Sequence, residues 1–308
     1  MSAPAHTPPA HTPPTHTPYD GSAQPFTIGL HQLDLKDWIE IDGNLVPYLR
    51  EKQRLFGLHA GKIFVEEPGT QDAQKEVLDL LSAHLAEHYP ALYRRNGGTI
   101  AVTGWGEQVP LGDAGSPFLH RAANLVQEDL VLMRKDERRG WHLAAASLSF
   151  PSSWTLLEKF GRSMEDIHAP VPDFGAGTRN AGLISRMFDN LRPDRSVYRM
   201  NWSLQPDGDL YHPLSSQQKG ARYTDADIVA QSFVRVERQT LRKLPASGDI
   251  LFTIRIHLDP VSALKKHPEC RGIAEAFAHQ LQSLSEAQAQ YKGIITVRDR
   301  LVAALKSL

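Results

Sequence analysis

Three strand-like stretches concentrate the side chains able to do chemistry. Arg199-Met200-Asn201-Trp202 lies on the first, Arg235-Val236-Glu237-Arg238-Gln239-Thr240 on the second, and Arg255 and His257 on the third. Alternation along a strand puts Arg235 and Glu237 on one face and Val234, Val236 and Arg238 on the other. A half-buried sheet with this many arginines either builds internal ion pairs or grips an anionic ligand such as a carboxylate or propionate. Of the 14 histidines, His6, His11 and His16 recur at a spacing of five in an N-terminal segment, His84 and His88 sit on an amphipathic helix, and His142 and His257 lie in strands. His168 differs in its setting. Ile167-His168-Ala169-Pro170-Val171-Pro172 is an apolar, proline-bounded segment that would hold an imidazole in a fixed direction, as axial ligation of a metal requires.

Other chemistries lack their signatures. The sequence contains no G-x-G-x-x-G, Walker loop, H-E-x-x-H or G-x-S-x-G. The single cysteine, Cys270, excludes an intrachain disulfide and any Cys₄ iron–sulfur site built from this chain alone. Lys+Arg 34 against Asp+Glu 35 gives a net charge of -1, which argues against nucleic acid or an anionic membrane as partner. With no run of about 18 apolar residues, no transmembrane helix is expected. The first basic side chain is Lys36, so the start does not read as a secretory signal, and a cytoplasmic location is expected.

The positioning elements follow from periodicity. Residues 1–25 hold seven prolines and one charged side chain, Asp20, which predicts a disordered tail whose histidines would collect metal only weakly. Residues 26–308 read as a single domain. Ala73, Val77, Leu81 and Leu85 predict a helix over 72–89, Ser116-Pro117 starts another, and Leu183, Met187 and Leu191 mark a third over 178–191. A serine of Pro151-Ser152-Ser153-Trp154 is expected to cap a short helix ended by Gly161, and Ser163 to cap one more turn. Strands are predicted from Leu130 to Arg134, Trp141 to Phe150, Val197 to Leu204, Phe233 to Leu241 and Asp249 to Leu258. In the last, Ile250, Phe252, Ile254, Ile256 and Leu258 share one face, while Leu251, Thr253, Arg255 and His257 share the other. Helices continue from Pro260 to the end. The fold class is α+β: one antiparallel sheet of about five strands flanked by helices.

In order along the chain, Glu128-Asp129-Leu130, Phe150-Pro151-Ser152-Ser153-Trp154, Lys159-Phe160-Gly161, the His168 segment, Arg199-Met200-Asn201-Trp202, Arg235 to Leu241, Leu244-Pro245 and Tyr291-Lys292-Gly293 resemble the haem subunit of haem-dependent oxidative N-demethylases. The resemblance covers roughly residues 30–295. It implies a PAS-like sheet and a non-covalent b-type haem with a histidine axial ligand. It further implies oxygen-dependent demethylation of a small secondary amine, with electrons supplied by a separate flavin and iron–sulfur subunit or reductase. On that basis His168 is the candidate iron ligand and His257 the second. Arg199, Arg235 and Arg238 are candidates for the propionates, Trp154 for the haem pocket, and Glu237 with Trp202 or Trp154 for an alkylammonium. Cys270-Arg271-Gly272 superficially resembles the cysteine loop of cytochromes P450, but His267-Pro268-Glu269 stands where that loop needs glycine and an aromatic residue, so thiolate ligation is rejected. The alternative is a PAS-like haem sensor or gas-binding module without turnover, because a fold alone does not imply catalysis.

Overall fold

The computed structural model describes residues 12–224 and 227–308. Its strands, in chain order, are β1 (His31–Gln32), β2 (Phe64–Glu66), β3 (Tyr93–Asn96), β4 (Thr99–Val102) and β5 (Gln108–Pro110). There follow β6 (Asp129–Asp136), β7 (Gly140–Ser147), β8 (Val197–Gln205), β9 (Phe233–Lys243) and β10 (Ile250–Pro260). The main sheet runs β1-β8-β9-β10-β6-β7-β2 with every pairing antiparallel, and β3-β4-β5 form a separate small sheet. Its five central strands are the five expected from sequence. The count of five is corrected to seven, because the edges carry β1 and β2, only two and three residues long and too short to show a period.

Each face of the main sheet buries a different set of residues, as a period of two requires. Leu130, Leu132 and Leu251 pack under the helices Leu45–Ile63, Gln71–His88 and Phe118–Ala123. At the other end of this face, Trp202, Val234 and Val236 pack with Phe277 and Leu281 of helix Cys270–Ser283 and Leu301 of helix Arg298–Leu305. Val131, Met133, Leu143, Leu241 and Ile254 point the opposite way, toward helices Leu156–Lys159, Met164–His168 and Arg179–Asn190.

Two local expectations need correction. The first concerns Ser152 and Ser153, which do not cap the helix before Gly161. Thr155 does, in a capping box with Glu158, because the backbone of Ser152 bridges to His212 and Ser153 N–H donates to the His212 carbonyl at 3.1 Å. Ser153 itself adopts a φ of 65°, in the left-handed region. The second concerns the expected tail, of which residues 1–11 lie outside the described residues. Residues 12–25 run against the body of the fold. Tyr19 is fully buried beside Phe277, with ring centroids 4.4 Å apart, and His16 reaches Glu40 at 2.7 Å. The segment runs through turns and bends, with Asp20 N–H donating to the Thr17 carbonyl at 2.9 Å, and burial of the Tyr19 side chain, worth about 1.5–3 kcal/mol, anchors it.

Candidate functional site

On the face carrying Val131, Met133, Leu241 and Ile254, sheet and helices do not close completely. A cavity of about 230 Å³ remains, walled by apolar side chains that include Phe26, Phe150, Phe174, Met187 and Phe252. An outer cleft of about 690 Å³ shares Met164, His168, Phe174 and Ile184 with it. Small-molecule sites span roughly 300–1,000 Å³, so cavity and cleft together have the size of one.

His168 stands in the shared wall. It is the last residue of helix Met164–His168, whose first turn is fixed by Ser163 Oγ accepting from Asp166 N–H. Its Nδ1 lies 2.9 Å from the Met164 carbonyl, and a carbonyl only accepts, so Nδ1 carries the proton. Nε2 then keeps its lone pair and makes no hydrogen bond among the described residues. Burial holds this imidazole below the usual histidine range, with the charges of Lys159 and Arg199 adding to the effect and the Met164 bond opposing it. A neutral, oriented imidazole with one free nitrogen is the form that binds a metal.

Polar groups enter the cavity from the sheet and from one helix. Arg199 and Asn201 come from β8, Glu237 and Gln239 from β9; the register sets Arg199 opposite Gln239 and Asn201 opposite Glu237. Arg199 donates from Nη2 to the Thr27 carbonyl at 3.1 Å, while its buried Nε has no partner. Burial lowers its pKa despite the pull of Glu237. Lys159 lies 4.1 Å over the Trp154 ring, and burial pushes its ammonium down to about 8. Glu237, the cavity's carboxylate, already accepts from Gln239 at 2.9 Å and pairs with Arg235 at 3.4 Å. Two cations are therefore desolvated with less negative charge than they need. An incoming dicarboxylate would relieve both.

Of the residues singled out in the sequence, His168, Arg199, Glu237 and Trp154 are brought together here. Trp202 is not: it faces the opposite side of the sheet, edge-on to Phe277, with Lys292 Nζ donating to its carbonyl at 2.6 Å. Arg235 shares the face of Glu237 but lies beyond the cavity, fully buried, donating to the carbonyls of Phe150 and Leu210. Arg238 is on the far face, where it donates to the carbonyls of Asp37 and Trp38. His257 is also on the far face, near Glu40 and His16. Neither arginine is placed to hold a group in the cavity, and the sheet stands between His257 and His168.

Lys159, Asn201 and Gln239 were missed as cavity residues. Parity was the available signal for two of them, since Asn201 alternates with Arg199 and Gln239 with Glu237. A family model described as haem-dependent oxidative N-demethylase, alpha subunit-like, matches residues 29–302.

Proposed function

Because the chain belongs to the haem-dependent oxidative N-demethylase alpha-subunit-like family, we propose that it binds a b-type haem non-covalently in this cavity and oxidatively demethylates a small alkylamine. An iron porphyrin needs a neutral imidazole, an apolar slot and cations for two propionates. His168 with its free Nε2 fits the first need and the aromatic and aliphatic lining the second. Arg199 and Lys159, both short of negative charge, fit the third. The observation that carries the reading is this coincidence of a pinned, neutral His168 and two uncompensated cations around one apolar cavity.

Bound haem supplies the redox chemistry: R–NH–CH₃, O₂, two electrons and two protons give R–NH₂, formaldehyde and water, a monooxygenase balance. The chain's own residues bind and orient. Glu237, which accepts from Gln239 and pairs with Arg235, faces an alkylammonium that must leave water, and Trp154 lines the same cavity as an aromatic, cation–π surface. Asn201, opposite Glu237 in the sheet, supplies an amide able to donate or accept beside the amine. Phe150, Phe174 and Phe252 keep water from the reacting carbon. The electrons come from a partner, a flavin and iron–sulfur subunit or reductase. Support for that partner is the alpha-subunit description of the family and the absence from the sequence of a cysteine set or dinucleotide fingerprint.

The PAS-like character and a cytoplasmic location belong to the same reading. Five long antiparallel strands, with short helices between the second and third, support the former. No helix among the described residues is long and apolar enough to cross a membrane, which is consistent with the latter.

Haem-loaded chain supplied with O₂ and a reduced flavin–iron–sulfur donor should release formaldehyde in step with consumption of one of a panel of N-methylamines. Stable haem with no formaldehyde from any of them would contradict the enzyme and leave a sensor or gas-binding module.

A further inference from the structure

The far face of the sheet carries a second cluster of ligand-type side chains, separate from the cavity. His16 comes from the N-terminal segment, Glu40 from the loop after Trp38, and His257 from β10, and one ligand atom from each lies within 4.8 Å of the others. His16 Nε2 is 2.7 Å from Glu40 Oε1, and His257 Nε2 is 3.5 Å from Glu40 Oε2. His257 is 9% exposed, yet its Nε2 has no hydrogen-bond partner, and neither has the buried Glu40 Oε2, although Arg238 Nε stands 3.4 Å from that oxygen. The imidazole nitrogen and the carboxylate oxygen thus face each other at a distance too long for a good hydrogen bond, which a bridging ligand would make up.

We infer that His16, Glu40 and His257 form a binding site for a divalent transition-metal ion of the zinc class, which clips the N-terminal segment onto the sheet. Two imidazoles and a carboxylate are a known three-ligand set for zinc. Bonds of about 2.0–2.1 Å in a tetrahedral shell place ligand atoms about 3.3–3.4 Å apart; His16 Nε2 is 2.7 Å from Glu40 Oε1 and His257 Nε2 3.5 Å from Oε2, so the side chains shift on binding for one oxygen to serve with both imidazoles. The side chains of His16 and Glu40 are 20% and 25% exposed, which leaves a side of the site open to a water as fourth ligand. Two guanidinium groups stand nearby, Arg255 paired with Asp42 at 2.7 Å and Arg238 with Glu40 Oε2 at 3.4 Å, so the ion would be held through the Glu40 oxygen that faces His16. Calcium and magnesium prefer all-oxygen shells and are not favoured by two nitrogen ligands. The ion would replace the direct hydrogen bond between His16 and Glu40 and hold the segment that inserts Tyr19 into the core.

The test uses the full chain, stripped with chelator and titrated calorimetrically with zinc chloride, beside His16→Ala and a His6→Ala/His11→Ala double variant. His16 lies at the surface end of the cluster, so its loss leaves the core intact. One zinc per chain is expected, with affinity at least tenfold weaker in His16→Ala and unchanged in the double variant. The thermal midpoint should rise with zinc in the wild type and not in His16→Ala. Absence of binding overturns the proposal. So does stoichiometric binding that His16→Ala leaves intact, or that the double variant abolishes, since histidines outside the cluster would then be collecting the metal.

Discussion

The two faces of the central sheet carry similar charged residues and treat them differently. On the far face, Arg255 is fully enclosed but donates to Asp42 and to the carbonyls of Glu40 and Ile256, and Arg238 donates to two more carbonyls. On the cavity face, Arg199 has an unpartnered Nε, and Lys159 lies over the Trp154 ring without an ion pair among the described residues. Arg199, Arg238 and Arg255 come from neighbouring strands of one sheet, β8, β9 and β10, and Lys159 from a helix laid over it, so the contrast is not set by the element that bears each charge. The difference lies in what each charge meets: the carbonyls of Asp37, Trp38, Glu40 and Ile256 on one face, apolar side chains around a void on the other. Charges that are satisfied internally hold a fold together. Charges left short of partners are poised for a ligand.

Substitutions should separate the faces. Arg255→Leu removes the bonds that a fully enclosed guanidinium makes to Asp42 and to the carbonyls of Glu40 and Ile256, so a loss of about 3–5 kcal/mol in denaturant unfolding is expected. Arg199→Leu should leave apo stability unchanged or raised, because it removes an uncompensated cation, while haem affinity falls by about tenfold, roughly one bond to a charged group. Equal stability losses in both variants would erase the comparison. Glu237→Gln keeps the shape of the cavity but removes its carboxylate. About a 100-fold fall in kcat/KM for amine, with the haem spectrum unchanged, is the expected outcome, on the order of 2.7 kcal/mol of lost ion pairing. An unaffected kcat/KM would remove Glu237 from substrate binding.

Lys159 gives a pH signature. Its folded pKa is lowered to about 8, so between about 8 and its ordinary value near 10.5 the unfolded chain binds more protons than the folded one. Stability of the apo chain should therefore gain a rising contribution across that window. Denaturant midpoints of wild type minus Lys159→Met, taken at several pH values, isolate it from other titrating groups. Haem should flatten the difference by supplying a counter-charge; a flat difference without haem would show that Lys159 is not desolvated. The smallest effect expected is for Trp154→Leu. Loss of a cation–π surface worth about 0.5–2 kcal/mol should raise KM for the amine a few-fold, with kcat nearly unchanged.

Much of this was legible from strand periodicity. The clean alternation of Ile250 to Leu258 correctly assigned Arg255 and His257 to the face opposite Ile254. The same parity, applied to β8, separates Trp202 from Arg199 and Asn201, and treating Arg199 to Trp202 as one cluster obscured it. The small sheet β3–β5 was missed because its strands are three or four residues long and carry Arg94, Arg95 and Gln108. Helix Leu45–Ile63 was missed because Pro47, Gly57 and Gly61 interrupt its signal. Arg235 and Lys159 exchanged importance for a reason no local pattern carries. Arg235 meets the carbonyls of Phe150 and Leu210 from distant loops, whereas the helix that bears Lys159 lays it against an apolar void.

The central claim is that His168, and not His257 across the sheet, ligates the haem iron. Visible absorption spectra of haem-replete chain, oxidised and then reduced, beside His168→Ala and His257→Ala, test it most directly. A Soret band that shifts on reduction, is lost or displaced in His168→Ala and is unaltered in His257→Ala is the predicted result. A band indifferent to His168→Ala and displaced in His257→Ala would contradict it.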